Sequence, residues 1–147
     1  MKLNVTTNFD FMKLRDKVEK VLSDGTRRIT RSAAKGAKQR IEKGLTPPLR
    51  QSTLDMRKKR GTGGSKPLFE TGELYRSIKS TKDGVEMLGY GLNHHRGYKN
   101  SKKSLFPNAQ VPARPFIEPS KEDILDPMKK LYMDMHKALR KVRTTIK

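Results

Sequence analysis

The chain has no cysteine and no tryptophan. Without cysteine there is no disulfide framework and no thiolate metal site, which fits a reducing compartment. Acid is scarce: 15 Asp and Glu stand against 34 Lys and Arg in 147 residues, a formal net charge of +19. Hydrophobic residues make up 33% of the chain, so the expected core is small. No apolar run approaches the roughly 20 residues a membrane-spanning helix needs. The opening MKLNVTTNFDFMKL lacks the apolar centre of a signal peptide. These absences point to a soluble protein with no membrane partner, made and used in cytoplasm or built into an assembly there.

What the chain has in excess is positive charge. Residues 1–60 hold 17 basic and 6 acidic side chains, residues 61–119 hold 9 and 5, and residues 120–147 hold 8 and 4. Such a field favours polyanions or acidic protein partners and says nothing about the fold.

The length fits a single domain over 1–147. Residues 9–43 read as one long helix, because Phe11, Leu14, Val18, Leu22, Gly25, Ile29, Ala33, Ala37 and Ile41 recur every three or four residues. Gly25 keeps the phase, so a kink there is the most that is expected. Arg28, Arg31, Lys35 and Lys38 form a basic face, either solvated or turned to phosphate or an acidic neighbour. Gly44 and Pro47-Pro48 stop the helix.

Residues 44–67 show no period and read as a basic, flexible loop. The run RKKRGTGGSK lacks the spacing of a phosphate-binding loop, and Pro67 follows the Lys where Ser or Thr is required. Residues 68–119 read as a β-rich core. A strand over 77–82, the turn Asp83-Gly84 and a returning strand over 85–92 suggest a hairpin. A polar, basic loop over 98–110 and a proline-rich strip follow. Residues 120–143 read as a second helix, with Ile124, Met128, Leu131, Met135, Leu139 and Val142 at helical spacing. Ser120-Lys-Glu-Asp resembles a capping box. Pro127 fits only a first turn, which makes Asp126 the alternative cap. The tail RKVRTTIK, from Arg140, is expected to fray. The predicted fold class is α+β: two long amphipathic helices packed on a small antiparallel β-sheet, with extended basic loops.

Candidate chemistry is sparse. His94 and His95 on a strand point to opposite faces and cannot share a metal, so a structural or interface role is expected. His136 reads as a surface residue. Glu70 and Glu73 are three apart, but capping the Thr71-Gly72 turn explains them more simply than catalysis. No catalytic, cofactor-binding or metal site is expected. The basic clusters Arg57, Lys58, Lys59, Arg60 and Lys99, Lys102, Lys103 are candidate contacts to DNA or an acidic partner. Through them the chain reads alternatively as a sequence-nonspecific nucleic-acid-binding protein.

The strip VPARPFIEPS, 111–120, is stiff. Pro112, Pro115 and Pro119 lack N–H donors and push the residues before them to extended geometry. It can present Arg114 and Phe116 to a neighbour at little entropic cost. The other reading is a connector in which Phe116 plugs the core and Arg114 pairs with a carboxylate.

Three blocks in order resemble the virion morphogenesis family of tailed bacteriophages. In PLFETGELYRSI the matching residues are Pro67, Leu68, Thr71, Gly72, Leu74, Ser77 and Ile78. In YGLNHHRG they are Tyr90, His94 and Gly97, with Gly91 and His95 where Ala and Gln are usual. In the strip they are Pro112, Ala113, Arg114, Pro115 and Phe116, ahead of a last helix. The lead-in GLTPPLRQSTLDMRKKRG also resembles the family's. The resemblance covers about residues 44–142. It implies a structural protein, not an enzyme, of the neck or tail-completion type, in a virion assembled in the host bacterial cytoplasm. It implies a homo-oligomeric ring at the head–tail junction, of six copies or alternatively twelve. Its neighbours would be connector or head-closure proteins and tail proteins, with DNA passing through the channel.

Overall fold

The computed structural model describes residues 11–104 and 106–143, with side chains up to residue 140. Residues 9 and 10 of the expected first helix, the side chain of Val142 and the end of the expected frayed tail lie outside the described residues.

The first helix, α1, spans Phe11–Lys43 without a break at Gly25. It ends where Gly44 turns to φ 95° and donates its N–H to the Ile41 carbonyl at 3.2 Å. The last helix, α5, spans Lys121–Arg143 and packs along α1. The helices approach closely because α1 offers glycine where α5 offers bulk. A Cβ on Gly25 would run into Leu131, and one on Gly36 into the Asp123 carboxylate. Arg28 pairs with Asp134 at 2.8 Å and Arg40 with Asp123 at 2.7 Å, which fixes the register of the pair.

Ser120 caps α5. Its Oγ accepts the Asp123 N–H, and the Asp123 carboxylate accepts the Ser120 N–H. The alternative cap at Asp126 is therefore incorrect. Pro127 lies inside α5, within the second turn, where it leaves only the residue 123 carbonyl without its helical donor.

The other side of α1 packs on a hairpin of β1 (Lys79–Ser80) and β2 (Val85–Glu86), antiparallel with Lys79 opposite Glu86. Thr30, buried on α1, donates its hydroxyl to the Thr81 carbonyl at 2.9 Å. Ala34, Ala37, Ile41, Leu45, Leu74, Ile78 and Phe116 form the core.

The class is α+β, with three corrections to the expected layout. Segment 44–67 is not all loop: α2 spans Gln51–Lys59. Its inward positions, Thr53, Leu54, Met56 and Arg57, have helical spacing but include a hydroxyl and a guanidinium, so apolar periodicity misses them. The returning strand stops at Glu86, and α4 spans Tyr90–Arg96. No β-branched residue follows Val85 in this stretch, and Gly91, His94 and His95 turn inward at helical spacing. Finally, β3 (Tyr98–Lys99) and β4 (Gln110–Val111) form a second ribbon separate from the first. There is no single sheet under two helices: α5 lies on α1, and α1 on β1–β2.

The basic face of α1 is also divided. Arg31 and Lys35 are exposed, but Arg28 is ion-paired and Lys38 lies 5.1 Å from the centre of the Tyr75 ring.

A candidate binding cavity beneath the proline-rich strip

The strip is held from three sides. The Arg114 N–H donates to the His94 carbonyl at 3.0 Å, tying it to α4. The Phe116 and Ile117 N–H groups point at His95 Nδ1, at 3.3 and 3.4 Å. Arg40 donates through Nε to the Phe116 carbonyl at 2.9 Å, tying it to α1. Gly97, at φ 75°, lets the chain turn between α4 and β3. A Cβ there would sit 2.6 Å from the Ala113 nitrogen, so glycine is required on both counts.

Phe116 is completely buried, so the connector reading holds for it. Arg114 is 6% exposed and does not pair with a carboxylate. It donates through Nε to the Pro47 carbonyl at 2.9 Å and through Nη2 to the Pro48 carbonyl at 3.3 Å. The reason is sequence: prolines cannot donate, but their carbonyls are free to accept.

Arg57 is a second correction. It is 5% exposed and is no surface contact for DNA. Its Nη1 donates to the Gly64 and Lys66 carbonyls, and its Nε lies 3.5 Å from Glu70. Glu70 also accepts the Thr62 hydroxyl and lies 3.6 Å from Arg60. It is thus a structural counter-ion. At the short α3 (Glu73–Ser77) the N-cap position is Gly72, and the Thr71 hydroxyl before it, not a glutamate, accepts the Glu73 N–H at 3.3 Å. Lys58, Lys59, Arg60, Lys99, Lys102 and Lys103 are exposed, as is His136.

These segments enclose a cavity of about 870 Å³. Its walls come from the Pro47–Pro48 lead-in, α2, the 68–74 turn, α4 and the β3–β4 ribbon with its loop, and Arg114 is among them. The residues of the three sequence blocks thus converge. Leu68, Thr71, Leu74, Tyr90, His94, Pro112 and Arg114 all line it, whereas Pro67, Ile78, Gly97 and Phe116 lie behind it as packing. Gly72 is buried at the turn, Ser77 accepts the Leu88 N–H, and Pro115 is exposed.

Burial, and then the Arg114 charge, lower the His94 pKa, so its ring is neutral near pH 7. The ring stacks edge-on with Tyr90 and Tyr98. Burial also lowers the Arg114 pKa, and Arg57 adds to this. Among the described residues no group of three or more His, Asp or Glu could hold a metal ion, and no helix is long and apolar enough to cross a membrane. No family model, curated protein or solved structure matches the chain.

Proposed function

We propose that this chain is a structural virion protein of a tailed bacteriophage, a subunit of a homo-oligomeric ring at the head–tail junction. In that role it completes the neck or tail, enables head–tail joining and lets DNA pass, with no catalysis of its own.

The observation that carries the reading is the convergence of the three resembling blocks. They are separated by up to dozens of residues, yet they and their Pro-Pro lead-in wall one cavity, and Arg114 bonds the strip to the His94 carbonyl of the second block and to the Pro47–Pro48 lead-in. That is expected if the blocks act as one unit, and not if the likeness is three separate accidents.

A second feature supports self-assembly. Helix α5 carries a stripe of exposed Leu125, Met128, Tyr132 and Leu139, besides the residues it turns to α1. Acidic Glu122 and Asp126 lie towards its start among Lys121, Lys129 and Lys130, and Lys137 and Arg140 lie near its end, so it is the apolar stripe rather than a charge gradient that a second copy would cover.

The test is electron microscopy of lysates from a phage with this gene disrupted. Filled heads beside unattached tails, or tails of aberrant length, are expected. Intact particles in normal numbers would remove the reading. The exposed lysines of α2 and the β3–β4 ribbon favour the alternative, sequence-blind nucleic-acid binding by a free monomer or dimer.

A further inference from the structure

The cavity under the strip contains more buried cation than it has acid to match. Arg114 is enclosed with no carboxylate partner among the described residues, and its Nη1 has no hydrogen-bond partner there. Arg57 stands close enough for its charge to act on Arg114. The one acid near them, Glu70, is already shared by Arg57, Arg60 and Thr62. Arg50 adds a further cation at the rim, while Glu73 is exposed on the first turn of α3. With Nε and Nη2 on the Pro47 and Pro48 carbonyls, Nη1 is left for a ligand, and an arriving carboxylate would make a charge-assisted bond to the guanidinium.

Much of the remaining wall is apolar, with Ser52, Thr53, Thr71, Asn100 and Gln110 among its polar members. Pro47, Leu49, Met56, Leu68, Leu74 and Val111 line it, and Tyr90 and Phe106 stand half-exposed at its edge. The volume suits a few side chains rather than a single ion. The elements on either side, α2 and the β3–β4 ribbon, carry the exposed cations Lys58, Lys59, Lys99, Lys102 and Lys103. These surround the entrance elements with positive field, which steers an acidic ligand inward.

We propose that this cavity is the docking site for an acidic peptide segment of a partner protein, with one carboxylate seated against Arg114 and an adjacent apolar side chain in the cavity. The proposal rests on the cavity alone and holds whether or not the chain belongs to a head–tail junction. An apolar cavity with a guanidinium at depth suits a peptide better than a nucleic acid, whose phosphates the exposed lysines would hold at the surface.

The probe is a panel of fluorescein-labelled heptapeptides, read by anisotropy at 150 mM salt. Each joins one Asp or Glu to one Phe, Leu or Tyr at a spacing of one to three. Each has an Asn or Gln twin and a twin lacking the apolar residue. The expected result is at least one acidic peptide that binds about tenfold tighter than both twins. Arg114→Gln should abolish that preference. Because Arg114 also braces Pro47 and Pro48, the exposed Arg50→Glu serves as a second variant, expected to weaken the same peptide several-fold with the fold intact. Equal binding of all twins overturns the proposal. So does unchanged binding by Arg50→Glu and Arg114→Gln together, or a dodecameric oligothymidylate that displaces the peptide at equal affinity.

Discussion

Phe116 has no exposed surface and touches the α1 side of the core through the strip that holds it. Its replacement by alanine removes a buried ring and leaves a void, so a loss of about 3–5 kcal/mol is expected from urea unfolding. Arg114 tests a different point. Lysine keeps the charge but offers a single ammonium where two carbonyls in fixed positions now accept from one planar fork. Arg114→Lys should therefore destabilise by about 1–3 kcal/mol, the cost of a buried carbonyl left unpaired. If Arg114→Lys unfolds at the same urea concentration as the parent, the bracing role is wrong. His94 gives a pH signature. Burial first, and then the Arg114 charge, set its folded pKa below the unfolded value of about 6.5. A depressed pKa contributes stability that is present above the unfolded value and lost as pH falls through the folded one. Stability should decline on acidification below about pH 6.5, and a His94→Gln variant should lack that decline in thermal melts across the range.

Between elements, the close pairing of α1 and α5 depends on absent side chains and on two ion pairs, Arg28–Asp134 and Arg40–Asp123. Gly36→Ala would place a methyl in the Asp123 carboxylate and disturb its bonds to Arg40 and Ser120, with an expected cost of about 1–3 kcal/mol. The Asp123 carboxyl is pushed up by burial, but the Arg40 hydrogen bond and charge and the Ser120 N–H more than offset this and hold it below the ordinary carboxylate range. The stability it contributes is therefore present above about pH 3.9 and lost as pH falls through the lower folded value. Asp123→Asn should be less stable than the parent at pH 7, and the two should converge in strong acid. Much of this layer was legible in the sequence. Helix α1 runs unbroken through Gly25, the capping box at Ser120 holds, and Ile124, Leu131 and Met135 are half-buried at helical spacing. Phe11 and Leu22 of the expected α1 stripe and Met128 and Leu139 of the expected α5 stripe are instead exposed. What was not legible follows from chemistry that hides period. Arg57 occupies an inward position of α2 because backbone carbonyls at Gly64 and Lys66 satisfy it, and no apolar scan marks such a residue. Likewise α4 turns two histidines and a glycine inward, so its stretch read as the continuation of a strand. The cavity was invisible for the same reason: it is built from four separated segments whose contacts are carbonyls and guanidinium groups rather than a motif.

For the whole molecule, the division of the basic residues decides what the charge of +19 can do. Part of it is turned inward: Arg28, Arg40 and Arg57 face carboxylates, while Arg114 is held by the Pro47 and Pro48 carbonyls with no acid of its own among the described residues. The remainder at Lys58, Lys59, Lys99, Lys102 and Lys103 is exposed and can meet a polyanion. Self-association and DNA contact are separable on this basis. Tyr132, 70% exposed on the α5 stripe, is the residue that tests the proposed self-association. Tyr132→Lys should shift the chain from oligomer to monomer in light scattering while leaving α5 folded, and an unchanged mass would exclude this face from the interface. DNA contact through diffuse charge has its own signature. Each lysine that neutralises a duplex phosphate releases a counterion, so log K falls with log salt by about 0.9 per contact. Changing all five lysines to glutamine should weaken binding to duplexes of unrelated sequence by the same factor and flatten the salt slope by up to about four to five units. The side chains of those lysines take no part in the buried arginines' hydrogen bonds, so the thermal midpoint should be unchanged. A slope that stays put after the five changes would remove these lysines from the proposed DNA contact and turn the same measurement to a variant of the exposed Arg31 and Lys35 of α1.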